Sequence, residues 1–349
     1  MNSPYEGLPE SRYWRSGVSQ KHPFDIQALY RKKFEITATD RIATAGSCFA
    51  QHISRHLRAR GFSVIDAEPA PAGLDSAQAQ AHGYGLYSAR YGNIYTTRQL
   101  IQLAREALGQ FTPANAVWEK EGRFFDALRP SVEPKGLRGA AHVALQRKQH
   151  VAKVLEVMQT ANIFIFTLGL TETWLDRASG TCYPTAPGTI AGSYDPATTV
   201  FHNLTFGEVM EDFLAFRDLM RGINPGVRFL LTVSPVPLTA TAAEDHVLVA
   251  TTYSKSVLRA VAGELHQHYD DVDYFPSYEI IAAPPSRAFF YEPNLRSVNN
   301  GGVSHVMRSF FAEHGSAGAS PGRTAKAAPD GGEGDDVVCE EALLEAFAR

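Results

Sequence analysis

The run Ile163-Phe164-Ile165-Phe166-Thr167-Leu168 is apolar at successive positions, so any strand it forms carries hydrophobic side chains on both faces. Such a strand needs cover on both sides, as a central strand of a parallel sheet has. Residues 228–233 and 272–275 have the same character, and helical patterns over 141–161, 206–220 and 254–268 precede the three runs in turn. Helix followed by buried strand, repeated, specifies a parallel sheet covered by helices. A first strand over 41–45 and a helix over 50–60 begin the series, with Ile53 and Leu57 at helical spacing and Gly61 just past the helix end. Residues 62–65 are expected as a second strand, a helix begins near Thr97, and the last helix covers 302–311.

Hydrophobic residues at 44% and charged residues at 20% of 349 describe a chain with a real core. A net charge of −4 gives no global pull toward nucleic acid or an anionic membrane. Three cysteines are too few for a disulfide framework. The first residues lack a basic stretch followed by an apolar one, and no apolar run is long enough to span a bilayer. The expectation is a cytoplasmic protein with no membrane or nucleic-acid partner. Residues 1–39 are expected as an arm packed on a single domain over 40–314, within which 109–140 form a cap insertion. Residues 315–336 are rich in Gly, Ala, Ser, Pro and Asp and are expected to be a disordered linker. Residues 337–349 have amphipathic helical spacing and are expected to dock on the domain or on a protein partner.

Ligands of open parallel sheets bind at the carboxyl ends of the strands. Three predicted strand ends here carry Gly46-Ser47-Cys48, Gly169-Leu170-Thr171-Glu172 and Ser234-Pro235, and a fourth segment ends in Asn294-Leu295-Arg296. A glycine at a strand end permits a backbone angle other residues resist, and esterases place a nucleophile on such a strand-to-helix turn. Two candidates stand side by side, the Ser47 hydroxyl and the Cys48 thiol. Turn residues alone would produce the same composition, and a free cysteine can equally be an inert core residue.

The string Gly46-Ser47-Cys48-Phe49-Ala50 resembles the signature of the GSCFA family, itself similar to the SGNH (GDSL-like) hydrolases. The blocks Tyr91-Gly92-Asn93-Ile94-Tyr95-Thr96, Thr167 to Trp174, Leu231 to Val236 and Tyr274 to Glu279 extend the resemblance in order, up to about His314. It implies an α/β fold, a three-layer α/β/α sandwich on a mostly parallel sheet, and acyl-ester chemistry with no cofactor and no metal.

Carried over residue by residue, an ungapped match puts Cys48 at the nucleophile position. A one-residue shift restores Ser47, the residue type on which the hydrolase group is built and the one the resemblance favours. Gly92 and Asn93 match the oxyanion-hole block, with amides near Ser47 and Gly92 as further donors. Thr171 and Glu172 replace an Asn-Asp pair; Thr171 can donate, whereas Glu172 would act as base or orienter, or else as a helix or turn cap. Arg296 falls where the general base belongs, and an arginine cannot accept a proton at neutral pH. It would instead hold a substrate anion or pair with Glu292. His246, beside Asp245, and His305 are the candidate substitutes, with His202 a distant third. His52 and His56 stand at i, i+4 without a third ligand, so a zinc site is not expected.

The leading expectation is a hydrolase or O-acyltransferase acting on a small-molecule or saccharide acyl ester. The alternative is a non-catalytic ligand- or partner-binding module on a degenerate hydrolase scaffold.

Overall fold

A computed structural model describes residues 3–315 and 339–348. Its elements, in chain order, are β1 (Ile42–Gly46), α1 (Phe49–Ala59), α2 (Ser76–Ala81), α3 (Thr97–Ala107), β2 (Val117–Lys120), β3 (Arg123–Asp126), α4 (Ala140–Thr160), β4 (Ile163–Leu168), β5 (Glu172–Asp176), β6 (Cys182–Tyr183), β7 (Thr199–Asn203), α5 (Phe206–Ile223), β8 (Arg228–Val233), α6 (Val247–His268), β9 (Val272–Tyr274), α7 (Ser277–Ala282) and α8 (Asn300–His314). The strands β1, β4, β8 and β9 lie side by side in that order, all parallel.

Alternate side chains of these strands feed two separate cores. Ala43, Ala45, Phe164, Phe166, Phe229 and Leu231 meet α3 to α6 through residues such as Leu100, Val157, Phe213, Phe216 and Leu258. Ile42, Ile163, Ile165 and Leu230 meet α1, α7 and α8 through Phe49, Ile53, Ile281, Val306 and Phe310. Both faces are covered, which is why the strand sequences do not alternate with polar residues. The result is a three-layer α/β/α sandwich. Among the described residues, no helix is long and apolar enough to cross a membrane.

The structure differs from expectation in three places. The strand expected over 62–65 shrinks to a single bridge between Ile42 and Val64. Beyond it, the free edge of β1 is taken by Ser88, whose hydroxyl accepts from Thr44 N at 2.9 Å and whose amide donates to Thr44 O at 3.2 Å. The expected cap contains an antiparallel hairpin, β2–β3, turned by Glu121-Gly122 with both residues at positive φ. Finally, β5 is the centre of a separate antiparallel sheet, ordered β6-β5-β7.

Two buried polar networks lock peripheral segments to the sandwich. Asp126, at the end of β3, receives Arg129 Nε at 2.8 Å and Arg147 Nη1 at 3.0 Å, tying the hairpin to α4. Tyr30 of the N-terminal arm donates to Asp273 Oδ2 on β9 at 2.8 Å, and Ile36 of the same arm is buried in the second core. Apart from Gly315, the expected linker lies outside the described residues. Of the expected C-terminal helix, Glu340–Phe347 forms 3-10 turns rather than an α-helix, with Glu340 buried against the domain.

Candidate active site

Val64 flanks β1 on one side and β4 flanks it on the other, so the strand order changes direction between β1 and β4. Doubly wound sheets take ligands in the crevice at that point. The backbone there admits little variation. Gly46 has φ +136°, and a Cβ on it would stand 2.5 Å from the Thr167 carbonyl oxygen. Gly169, after β4, touches Tyr95 and Ser47 so closely that an added Cβ would lie 2.9 Å from Tyr95 O and 3.0 Å from Ser47 Cβ. Ile94 N donates to Gly46 O at 2.9 Å, and the amides of Gly169 and Leu170 both donate to Tyr95 O at 3.1 Å. Three loops, after β1, before α3 and after β4, are thereby stitched into one rim.

Onto this rim the fold brings five side chains from four segments. Cys48 is the N-cap residue of α1 and is 5% exposed. Asn93 Oδ1 accepts from the Tyr87 hydroxyl and from Gln51 Nε2 (3.3 Å), which fixes the amide so that its Nδ2 donates outward. Tyr95 precedes the capping box of α3, its amide donating to Gln99 Oε1 at 2.9 Å. Lys255 lies on α6, 2% exposed, with Nζ donating to Gly169 O at 2.6 Å. Arg296 follows an Asn294 turn in which Asn294 Oδ1 accepts from its amide at 2.9 Å.

The C-terminal segment fills the space between them. The Cys339 sulfur stands 3.9 Å from the Tyr95 hydroxyl, beside Cys48, and the two thiols influence each other's ionisation. The Glu340 carboxylate accepts from Asn93 Nδ2, from the Ser131 hydroxyl and from the Tyr95 hydroxyl, the last at 2.7 Å. Arg296 Nη2 stands 3.2 Å from Glu341 Oε2 and 3.7 Å from Cys339 Sγ.

The electrostatics follow from these contacts. The hydrogen bond from Cys48 and the Arg296 guanidinium pull the Cys339 thiol down to about 6, whereas Cys48, holding the shared proton in a buried position, is pushed up. Burial lowers the Lys255 ammonium to about 8, against the attraction of Glu341 and Cys48. Burial, then Cys339, raises the Glu341 carboxyl to about 8, with Arg296 and Lys255 opposing. Lysine and glutamate here sit at the pH where a proton can move in either direction.

Several residues singled out from the sequence lie elsewhere or are already engaged. Ser47 is buried against Gly169; its hydroxyl has no hydrogen-bond partner among the described residues, and its amide, expected as an oxyanion donor, is bonded to Thr167 O at 3.1 Å. The Thr171 hydroxyl, also expected to donate there, is given to Asn203 Oδ1 at 2.6 Å. Glu172 lies on β5 rather than at a helix start, accepting from the Thr241 hydroxyl at 2.6 Å. His246 is exposed and caps α6, its Nδ1 accepting from Leu248 N at 3.1 Å. His305 stacks on Phe290 with ring centroids 5.4 Å apart, and its Nδ1 meets Arg308 Nη2 at 3.2 Å. His202 is bonded to Glu208 at 2.6 Å. Arg296 pairs with Glu341 rather than with Glu292. Gly92 does reach the rim, a Cβ there meeting Glu340 Oε1 at 3.5 Å. Among the described residues no group of three or more His, Cys, Asp and Glu is placed to hold a metal ion.

Sequence reading passed over Lys255, although its signal is present. It stands in register with Leu258, Ala262 and Leu265 on the buried stripe of α6, where a lysine has no packing reason to be. Tyr87, Gln51 and the acidic pair Glu340-Glu341 carry no comparable local signal.

The GSCFA family profile matches residues 41–310. Two solved structures are similar over 62% of this chain and 88% of their own, each at 12% identity. One is an acetyl esterase mutant with acetate ion, TM-score 0.27, and the other a carbohydrate esterase family 3 protein from Talaromyces cellulolyticus, TM-score 0.28. Scores that low carry no weight for fold or chemistry. No curated protein matches the chain.

Proposed function

The chain belongs to the GSCFA family, and from that premise we propose that it is an acyl-ester hydrolase or O-acyltransferase with Cys48 as nucleophile. One observation carries the reading: Asn93 and Arg296, from two separate segments, contact Glu340 and Glu341 beside Cys48, in the crevice where such sheets take ligands.

In the proposed reaction, neutral Lys255 takes the Cys48 proton, directly or through a water, and the thiolate attacks the acyl carbonyl. The resulting oxyanion is held by Asn93 Nδ2, whose orientation Tyr87 and Gln51 maintain. Collapse of the intermediate returns the proton from Lys255 to the leaving alkoxide and leaves a thioester on Cys48. A water or an acceptor hydroxyl, deprotonated by Lys255, then attacks the thioester and frees the thiol. Arg296 offers a planar cation for a carboxylate or phosphate on the substrate. An acylated saccharide as substrate rests on the family resemblance.

The histidines favour a second reading, a binding module without turnover, because His246 and His305 make their bonds away from Cys48. Probe labelling separates the two. A thiol-directed acylating probe and short acyl esters are assayed on the native chain and on a chain carrying Glu340→Gln and Glu341→Gln. The enzyme reading expects label and turnover that vanish in Cys48→Ala and persist in Ser47→Ala. Neither label nor turnover in either chain would sink it.

A further inference from the structure

We propose that the C-terminal segment beginning at Cys339 is an intramolecular plug of the crevice above Cys48, so that substrate enters only when the segment leaves. The proposal takes the crevice to be the acyl site described above, and it concerns how that site is regulated.

Three consecutive residues answer three separate features of the crevice. Glu340 presents two oxygens of a charged trigonal group to Asn93, Tyr95 and Ser131. Asn93 is the donor assigned to the oxyanion, so the carboxylate sits where developing negative charge would sit. Glu341 takes the Arg296 guanidinium at 3.2 Å, the group assigned to a substrate anion. Cys339 places its sulfur beside the nucleophile, between the Tyr95 hydroxyl and Arg296 Nη2. An acyl substrate needs the same three groups and cannot share them.

The remainder of the segment is held far less firmly. Leu343 is 49% exposed and Phe347 is 64% exposed, so little apolar area is hidden on docking. Retention rests on polar and charged contacts with the site, which another anionic ligand can replace, rather than on a hydrophobic seam that would make closure permanent. Because the segment belongs to the same chain, its docking is independent of protein concentration.

Disulfide trapping tests this in the full chain without depending on turnover. Diamide oxidises two adjacent thiols to a disulfide, its azo bond accepting the two electrons and two protons. The plug predicts a Cys48–Cys339 disulfide within one chain, found by peptide mass spectrometry. Its rate of formation should fall in the Glu340→Gln, Glu341→Gln double variant, while iodoacetamide labelling of Cys48 rises by roughly tenfold or more, the factor equivalent to ~1.4 kcal/mol of lost docking. Absence of that disulfide in the native chain, or one formed between chains, overturns the proposal. So does equal Cys48 labelling in native and variant chains with matched circular dichroism. If trapping and labelling behave as expected and no ester is turned over by any form, the plug stands and the acyl-ester reading fails.

Discussion

Lys255 Nζ donates a 2.6 Å hydrogen bond to the carbonyl of Gly169, the residue whose missing side chain lets the loop after β4 close on Ser47. The one buried lysine of α6 is therefore anchored to the backbone of the crevice. With burial bringing its ammonium to about 8, the neutral base becomes available as pH rises through 8. In the chain carrying Glu340→Gln and Glu341→Gln, which lacks the attraction of Glu341, kcat/KM is expected to rise with pH and level off below that value. Lys255→Arg should lower kcat by about 10²–10⁴ and remove that limb, since arginine keeps its proton. Stability has a defined sign as well. The folded chain releases this proton before the unfolded chain does, so the buried cation's cost is relieved as pH rises from about 8 toward the ordinary lysine value. Lys255→Met should lose that rise in a set of urea melts.

Asn93 is held by Tyr87 and Gln51 with its amide nitrogen facing the crevice. Removing it should cost transition-state stabilisation more than substrate binding. Asn93→Ala is expected to lower kcat by about 10²–10³ with little change in KM. Tyr87→Phe, which loosens the amide without deleting it, should cost less, on the order of tenfold, also in kcat. A change confined to KM would remove Asn93 from the oxyanion role.

Protonation of His314 should destabilise the fold. Its Nδ1 accepts from Ile36 N at 3.2 Å and its Nε2 lies 2.8 Å from the Tyr30 hydroxyl, so a neutral ring is required on the Nδ1 side. Burial, then Lys32, holds the ring down to about 4, below the ordinary histidine value. The unfolded chain therefore takes up this proton first. The stabilisation is complete above the ordinary value and is lost as pH falls toward 4. Between pH 7 and pH 5 the loss should be roughly 1–2 kcal/mol. Chemical denaturation of His314→Asn at both pH values should show a flatter dependence.

Asp126 neutralises two guanidinium groups that are themselves buried, those of Arg129 and Arg147. Although burial alone would raise its carboxyl, Arg147 and Arg129 hold it below the usual carboxylate range. Asp126→Asn leaves the buried Arg129 without its ion-pair partner, while Arg147 keeps Glu106, and is expected to cost about 3–5 kcal/mol. A drop in thermal midpoint would report it. A cost below about 1 kcal/mol would mean that water reaches the arginines.

The parallel sheet was legible because its strands need cover on both faces, and successive apolar residues such as those of β4 state that need locally. Gly46 was legible for a related reason, since its φ and its contact with Thr167 leave no room for another residue. The antiparallel strands were not. In β5, Glu172 and Trp174 are only partly buried, and their pairing with β7 depends on a partner some thirty positions away. The same limit applied to the site. The resemblance pointed to Ser47 and two histidines, yet packing buries Ser47 behind Gly169 and turns the histidines to helix capping and aromatic stacking.

By itself, then, the order of residues determined the layers, the strand end at Gly46 to Cys48 and the Asn93 loop, because period, glycine geometry and capping act over a few neighbouring residues. Only the tertiary structure decided that Lys255 shares that crevice with Cys48 and that Glu340 and Glu341 occupy it, Glu341 against Arg296. Those pairings join segments scattered across the chain, and charge attraction between them becomes specific only after the two cores have fixed where each backbone stands.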